Sequence, residues 1–289
     1  MFLAILILIF TLIFFLGYLS SSIVLKVPRA ANEFNPKSFG YDYESFATFS
    51  EDQIKIEGWF VQAKEKSSTL LFVLHGWGAN RSDVLATTIF LAKKYNLVYF
   101  DFRNHGSSGG DKTSLTCLEI KDFKAVVNFI EKEKKEFVQK SGVFGFSMGG
   151  SVAISAGAEL PQLQAIVAES PFASYEETVY RFAKLFYGAP RFVVPITLYF
   201  IQARLGFNPE KCSPIHFVSK IAPRALLIIQ GGNDLRMPVK EGQALYDRAR
   251  EPKELWIVPE TDHGAIFEKN PEEYQKKILD FFDKAFKIL

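Results

Sequence analysis

The architecture of this chain follows from one stretch, Gly142-Val143-Phe144-Gly145-Phe146-Ser147-Met148-Gly149-Gly150. An apolar run typical of a β-strand leads into Gly-x-Ser-x-Gly, and small residues that favour a helix come next. The order of strand, tight turn and helix predicts a nucleophile elbow with Ser147 at its apex. Gly145 and Gly149 lack the Cβ atoms that would collide where the strand and the helix approach each other. The helix N-terminus would offer N–H donors to a developing oxyanion.

Length and composition indicate one large α/β domain with additional segments, since the chain has 289 residues and is 48% hydrophobic. Lys and Arg number 34 against 32 Asp and Glu, so the charge is nearly balanced, and no basic cluster of the kind that binds nucleic acid is present. Cys117 and Cys212 lie far apart in no metal-binding spacing, and we expect both to be ordinary buried or half-buried thiols. The chain also has no His-Glu-x-x-His motif or phosphate-binding loop. We therefore expect no metal and no cofactor.

The N-terminus predicts a transmembrane anchor over residues 1–25. Phe2–Leu25 contains no charged residue, and its length as a helix is roughly 36 Å, enough to span a bilayer with some tilt. The alternative is a cleaved signal peptide, for which Ser20-Ser21-Ser22 would offer small residues at the cleavage site. The length of the apolar run and the absence of Lys or Arg after Met1 favour the anchor.

The residues after the anchor bear on its orientation. Lys26, Arg29 and Lys37 follow the helix, so the positive-inside rule favours a cytoplasmic catalytic domain. We expect residues 26–40 to form a linker and residues 41–289 to form the domain.

The domain begins with two segments of alternating polarity, near 43–49 and 54–61, which suit antiparallel strands with one solvated face. The continuous apolar run at 69–74 is typical of a central strand that is buried on both faces. From there strands and helices alternate, which predicts an α/β fold with a mostly parallel, doubly wound sheet of about eight strands. The further strands are predicted at 97–102, 141–146, 164–168, 225–230 and 255–258, and the helices at 82–94, 116–133, 239–250 and 271–286.

The alternation is interrupted at about 171–223, which is too long for a plain connection. Residues 179–186 predict an amphipathic helix, and the apolar run at 192–201 is too short to span a membrane. We expect a helical lid inserted over the carboxyl ends of the strands, where α/β sites lie, and we call residues 171–223 the lid segment. The substrate would bind against residues between Phe172 and Phe207.

Ser147 needs a base, and the chain has four histidines. His75, His105 and His263 all follow predicted strands and would gather at one sheet edge, whereas His216 lies in the lid segment. His263 is favoured because it comes last, which gives the chain order Ser, acid, His. A neutral imidazole there would accept the Ser147 proton and later donate it to the leaving group.

The base needs a carboxylate to orient it, and Asp234 is the first choice because it follows the strand at 225–230. Glu169 follows the strand before the lid segment and ranks second. Asp262 is adjacent to His263, but neighbouring side chains in a loop usually diverge. The oxyanion would be bound by the N–H of Met148 and by the N–H of Trp77 in the Gly-rich loop after the strand at 69–74.

These motifs together resemble the α/β-hydrolase superfamily over nearly all of residues 43–286. The pieces that carry the resemblance are His75-Gly76-Trp77-Gly78, Asp101-Phe102-Arg103-Asn104-His105-Gly106-Ser107-Ser108-Gly109, Gly145-Phe146-Ser147-Met148-Gly149, Gly231-Gly232-Asn233-Asp234 and Asp262-His263-Gly264. Within the superfamily the chain looks most like serine aminopeptidase and monoacylglycerol-lipase-like hydrolases. The resemblance implies Ser147 as nucleophile, Asp234 as acid and His263 as base, and it implies that the loop carrying His105 is structural.

The sequence thus predicts a membrane-tethered serine hydrolase that cleaves acyl or lipid-like esters through an acyl-enzyme. Two alternatives stay open. One is a peptidase or thioesterase, because the same triad attacks amides and thioesters; a peptidase that binds peptide N-termini would need an acid such as Glu169, Glu176 or Glu177. The other is a non-catalytic binding protein on the same fold.

Overall fold

A computed structural model describes residues 2–288 and places eight strands in one sheet, in the order β1-β2-β4-β3-β5-β6-β7-β8. The first two strands are antiparallel to their neighbours, and β3 to β8 are parallel. The strands are β1 (Glu44–Phe49), β2 (Lys55–Val61), β3 (Thr69–Leu74), β4 (Asn96–Phe100), β5 (Lys140–Phe146), β6 (Leu163–Glu169), β7 (Ala225–Gly231) and β8 (Lys253–Val258). The predicted strands and the mostly parallel sheet are confirmed.

The helices lie at the N-terminus, between the strands and after the last strand. They are α1 (Phe2–Leu25), α2 (Leu85–Thr88), α3 (Cys117–Glu133), α4 (Met148–Gly157), α5 (Tyr175–Tyr187), α6 (Val194–Leu205), α7 (Val239–Arg248), α8 (Ile266–Lys269) and α9 (Pro271–Ile288). Helices α5 and α6 both belong to the lid segment.

The central strand β3 shows why the sheet is covered on both faces. Leu70 and Phe72 pack in one apolar cluster with Phe123 of α3 and Val152 of α4. The alternate residues of the strand belong to a second cluster, which contains Phe282 of α9. Successive side chains of a strand point to opposite faces, so a continuous apolar run is what a sheet buried on both sides requires.

The predicted helix at 82–94 is only partly present, because α2 is a single short turn followed by a 3₁₀ segment at 89–93. Thr88 explains the break, since its hydroxyl donates to the carbonyl of Val84 and also bonds with the hydroxyl of Tyr99 (3.0 Å). Such local bonds to the backbone compete with regular helix, and the β-branched residues that surround Thr88 favour helix less.

The prediction that Cys117 and Cys212 are free thiols is wrong, because the structure joins them in a disulfide with a Cα–Cα distance of 5.3 Å. Cys117 begins α3 and Cys212 lies near the end of the lid segment. The two residues are 95 positions apart, and only the folded chain brings α3 and the lid segment together. The disulfide therefore links the lid segment covalently to the body of the domain.

The N-terminal helix α1 contains an 18-residue window with a mean hydropathy of 2.9 and is long and apolar enough to cross a membrane. Its first half is mostly exposed, whereas Gly17, Ser21 and Leu25 are buried against the domain. The carbonyl of Leu25 accepts the N–H of Thr113 (2.8 Å), so the end of α1 is built into the fold.

Helix α1 packs on α6 of the lid segment. The hydroxyls of Ser20 and Thr197 are 2.6 Å apart, and a Cβ on Gly17 would collide with the side chain of Ile196. One nitrogen of Arg204 at the end of α6 donates to the hydroxyls of both Ser21 and Ser22, each at 2.8 Å. The N-terminal helix and the lid segment thus form one packed unit.

Candidate active site

The turn between β5 and α4 holds Ser147 in a conformation that few residues adopt. Its φ is 55° and its ψ is −115°, and its N–H donates to the carbonyl of Glu169 at 2.8 Å. A Cβ on Gly145 would collide with the backbone of Gly149, and one on Gly149 would collide with the carbonyl of Leu74. Strain at one residue is a feature of functional turns, and here it places the Ser147 hydroxyl at the carboxyl edge of the sheet.

His263 lies between Ser147 and Asp234. Its Nε2 is 3.1 Å from Ser147 Oγ, and its Nδ1 is 2.7 Å from Asp234 Oδ2. A carboxylate can only accept, so the bond to Asp234 assigns the ring proton to Nδ1 and leaves Nε2 to accept the hydroxyl proton of Ser147. Asp234 is buried, and its Oδ1 accepts the N–H of Met237 at 2.7 Å. The structure therefore brings together the three side chains that the sequence singled out.

The other histidines bond elsewhere. In His75, Nε2 accepts the N–H of Phe102 (3.0 Å) and Nδ1 pairs with the carbonyl of Gly76 (2.8 Å). Burial lowers the pKa of His75 well below its usual value, so this ring is neutral. In His105, Nε2 accepts the N–H of Gly78, and Nδ1 pairs with the carbonyl of Arg103. His216 lies 3.5 Å from Glu210 in the lid segment.

The two competing acids also have other partners. Glu169 accepts the hydroxyl of Tyr274 at 2.6 Å, and burial raises the pKa of its carboxyl to about 7. Asp262 accepts the backbone N–H of His263 at 2.7 Å. Among the three acids that the sequence offered, Asp234 is the one that bonds to the ring of His263.

The loop after β3 lies against the nucleophile. A Cβ on Gly76 would be 3.3 Å from the Cβ of Ser147, so the next residue, Trp77, begins beside the elbow. The N–H of Gly78 is already bonded to His105, whereas the predicted donor is the N–H of Trp77. Met148 is the first residue of α4, and the first N–H groups of a helix have no partner within it. Met148 thus directly follows Ser147, and Trp77 directly follows a residue that lies against Ser147.

An apolar cavity of about 560 Å³ adjoins this loop. Trp77 and Leu115 contribute from the body of the domain, and α5, α6 and the second half of α1 supply the remaining walls. A cavity of this size and character is typical of a small-molecule site. The sequence predicted the contribution of the lid segment, but it did not predict that of α1.

A sequence profile of the prolyl oligopeptidase family matches residues 109–288. The chain belongs to this family. The resemblance to α/β hydrolases that the motifs indicated is therefore confirmed, and the chain is a serine hydrolase.

Known relatives and solved structures extend this assignment. The uncharacterized protein YqkD of Bacillus subtilis is 29% identical over 252 residues, which cover 86% of this chain and 77% of YqkD. The structure of an esterase from Pyrococcus furiosus is similar with a TM-score of 0.77 and 29% identity, over 90% of this chain and 98% of the esterase. The structure of an acylaminoacyl peptidase from Pyrococcus horikoshii is similar with a TM-score of 0.62 and 19% identity, over 88% of this chain and 44% of the peptidase. This similarity shows the shared fold alone.

Sequence reasoning missed the partnership of Glu169 with Tyr274. The helical spacing of Tyr274 with Ile278 and Phe282 predicts a core position in α9, and all three are buried. A buried tyrosine hydroxyl usually finds a hydrogen-bond partner, and that rule was the available signal.

Proposed function

We propose that this serine hydrolase cleaves carboxylic esters that carry an apolar acyl group, and that residues 1–25 hold it in a membrane. The observations that support the proposal are the hydrogen-bonded row Ser147–His263–Asp234 and an apolar cavity that borders Trp77 in the neighbouring loop. Nucleophile, base and orienting acid in this arrangement are the requirements of acyl transfer.

In the first half of the reaction, Ser147 Oγ attacks the ester carbonyl carbon while His263 Nε2 takes the hydroxyl proton. Asp234 stabilises the resulting imidazolium through Nδ1. The carbonyl oxygen becomes an oxyanion, which accepts the N–H groups of Met148 and Trp77. When this intermediate collapses, the ester C–O bond breaks, the alcohol leaves with the proton from His263, and the acyl group stays on Ser147.

In the second half, His263 takes a proton from a water molecule, and the oxygen of that water attacks the acyl carbon. The second oxyanion uses the same two N–H groups. Its collapse breaks the bond to Ser147 Oγ, which regains a proton from His263, and the carboxylic acid leaves. The enzyme returns to its starting state, and one ester and one water yield one acid and one alcohol.

The walls of the cavity support an apolar acyl group. Within residues 2–288, its lining contains no Asp or Glu that would pair with the amino group of a peptide. Glu177 is exposed and lies 3.3 Å from Arg191, and Glu169 is bonded to Tyr274. The similarity to the Pyrococcus furiosus esterase over nearly its whole length points in the same direction.

A peptidase is the second candidate, because the chain belongs to the prolyl oligopeptidase family. The triad chemistry is the same for esters, thioesters and amides, so the difference lies in the groups that bind the substrate. A peptidase of this chain would have to recognise an acylated or apolar residue, since the cavity lining lacks a carboxylate.

The membrane tether is supported by the exposed apolar surface of α1 and by the burial of its last residue, Leu25, in the domain. Leu25 is fully buried in the core, which a cleaved signal peptide would not require. The disulfide between Cys117 and Cys212 bears on the side of the membrane, because disulfides persist outside the reducing cytosol. Although the positive charges after α1 favour the cytoplasm, we propose that the domain lies on the oxidising side.

A substrate panel on the full-length chain in detergent tests the proposed function. We expect hydrolysis of octanoyl and palmitoyl esters, weaker hydrolysis of acetyl esters, and no turnover by Ser147→Ala. Thioesters and acylaminoacyl amides of the same chain lengths are the comparison substrates. Faster cleavage of the amides would support the peptidase, and the absence of turnover on every substrate would support the non-catalytic alternative.

A further inference from the structure

We propose that α1, besides anchoring the chain, forms one wall of the acyl-binding site, so that the acyl chain lies between α1 and the lid segment and reaches Ser147 from the bilayer. This inference rests on the proposed ester hydrolysis at Ser147. It adds a role for the N-terminal helix in binding the substrate.

The first support is the composition of the cavity wall. The residues that α1 contributes share one stripe of the helix, and they are Leu16, Leu19, Ser20, Ile23 and Val24. The facing residues come from α5, the start of α6 and the connection between them, among them Phe182, Phe186 and Val193. Without α1 the cavity would be an open groove, so the N-terminal helix closes it.

The second support is that this wall is held in place by specific bonds. The hydroxyls of Ser20 and Thr197 are 2.6 Å apart, and Arg204 of α6 bonds to the hydroxyls of Ser21 and Ser22. Polar side chains on an apolar helix rarely face lipid, and here they join α1 to the lid segment. These bonds make the position of α1 a defined part of the fold.

The third support is the inner end of the cavity. Trp77 lines it and directly follows Gly76, which lies against Ser147. The indole Nε1 of Trp77 is buried, and within residues 2–288 it has no hydrogen-bond partner. A buried donor usually requires an acceptor, and an ester oxygen at the head of an acyl chain would supply one. The cavity thus reaches the residue that follows Gly76, and its lining is apolar apart from Ser20, Thr178 and Thr197.

The fourth support is the outer surface around the cavity. Residues 2–16 of α1 are mostly exposed, and next to them the lid segment exposes Tyr187 (62%), Phe192 (74%) and Tyr199 (62%). The ring of Phe200 contacts both Phe14 and Tyr18, so the two surfaces are continuous. Aromatic side chains beside a membrane helix are typical of the bilayer interface. The outer face of the cavity walls would therefore lie at the lipid surface.

These observations favour an acyl chain over a protein segment as the occupant. The cavity is bounded by the same helix that would stand in the lipid, so an ester from the bilayer could enter it without crossing water.

A photoreactive inhibitor tests this arrangement. The probe is a long-chain alkyl fluorophosphonate with a diazirine midway along the chain, applied to the full-length protein in lipid nanodiscs. After reaction at Ser147 and irradiation, we expect crosslinks to the α1 peptide that contains residues 16–24. Crosslinks confined to the body of the domain would overturn the inference, whereas a failure to react at Ser147 would instead contradict the proposed function.

A pair of variants tests the same wall by kinetics. Leu19→Trp would fill the cavity from α1, and Leu3→Trp, an equal change at an exposed position outside the cavity, is the control. We expect Leu19→Trp to lower the ratio of kcat/KM for palmitoyl esters to that for acetyl esters about tenfold or more, and Leu3→Trp to keep the wild-type ratio. Equal chain-length profiles for the two variants would contradict the proposal.

Discussion

Asp234 and Glu169 are both buried acids at the carboxyl edge of the sheet, and they differ in their partners. Asp234 bonds to the ring of His263, while Glu169 bonds to the hydroxyl of Tyr274. The order of motifs along the chain was enough to rank Asp234 first. It could not exclude Glu169, since both acids follow strands that end at the same edge. The side-chain hydrogen bonds separate them.

Replacement of the two acids should therefore have unequal effects. Asp234→Asn cannot hold the same tautomer of His263, and we expect kcat for a preferred ester to fall by about 10⁴-fold. Glu169→Gln keeps the shape of a residue outside the hydrogen-bonded row, and its kcat should stay close to that of the wild type. Steady-state kinetics of both variants is the measurement. A larger loss for Glu169→Gln would mean that the orienting acid is misassigned.

The Glu169 carboxyl should also make stability depend on pH. Burial raises its pKa from an ordinary 4.5 to about 7, so between these values the folded chain binds a proton that the unfolded chain releases. The contribution of this carboxyl to stability is therefore complete below about pH 4.5 and is lost as the pH rises through 7. The full loss is on the order of 3 kcal/mol.

Thermal unfolding of wild type and Glu169→Gln over this pH range isolates the effect, because all other titrating groups are shared. We expect Tm of the wild type to fall relative to that of the variant as the pH rises. A constant difference in Tm across the range would show that Glu169 does not titrate there.

Among the elements, the strands were predictable because a sheet buried on both faces leaves continuous apolar runs in the sequence. The break in the predicted helix at 82–94 was not predictable. It arises because the bond from the Thr88 hydroxyl to the backbone competes with the regular hydrogen bonds of a helix. The disulfide could not be predicted either. Its two cysteines come into contact only after α3 and the lid segment have taken their places in the fold.

Loss of this disulfide should destabilise the lid segment and the fold together. A crosslink across 95 residues restricts the unfolded chain, and its removal typically costs about 2–4 kcal/mol. We expect Cys117→Ser and the double variant with Cys212→Ser to lose the same stability in chemical unfolding, because either change breaks the same bond. Losses of stability that add up in the double variant would argue against the disulfide between Cys117 and Cys212. Unchanged stability of the wild type after reduction would also argue against it.

On the scale of the whole molecule, the N-terminal helix packs in the fold and is also the segment that we propose to lie in the membrane. Its apolar run predicted the anchor, but its packing on α6 depends on the position of a segment nearly two hundred residues away in the chain. The fold class, and the proximity of Ser147, His263 and Asp234, were thus predictable from local patterns and their order. The shape of the cavity was not predictable, since elements that are remote from one another in the chain build it.

The tether predicts that the mature protein keeps residues 1–25, and the disulfide predicts that its domain lies on the oxidising side. Mass spectrometry of the membrane fraction should find the N-terminal peptide attached, and non-reducing gels should show Cys117 paired with Cys212. A C-terminal fusion to a reporter that is active only outside the cytoplasm should be active. A mature chain that begins after Ser22, or free thiols in the native protein, would contradict this topology.

The central claim is that Ser147 is the nucleophile of this serine hydrolase. The most direct measurement is mass spectrometry of the full-length protein after treatment with a fluorophosphonate probe, with Ser147→Ala and Ser151→Ala treated in parallel. Ser151 is a matched control because it lies one turn further along α4, with its hydroxyl bonded to the backbone of Phe172. The account predicts a single adduct on Ser147 in the wild type and in Ser151→Ala, and none in Ser147→Ala. Equal labelling of all three proteins, or no adduct on the wild type, would contradict it.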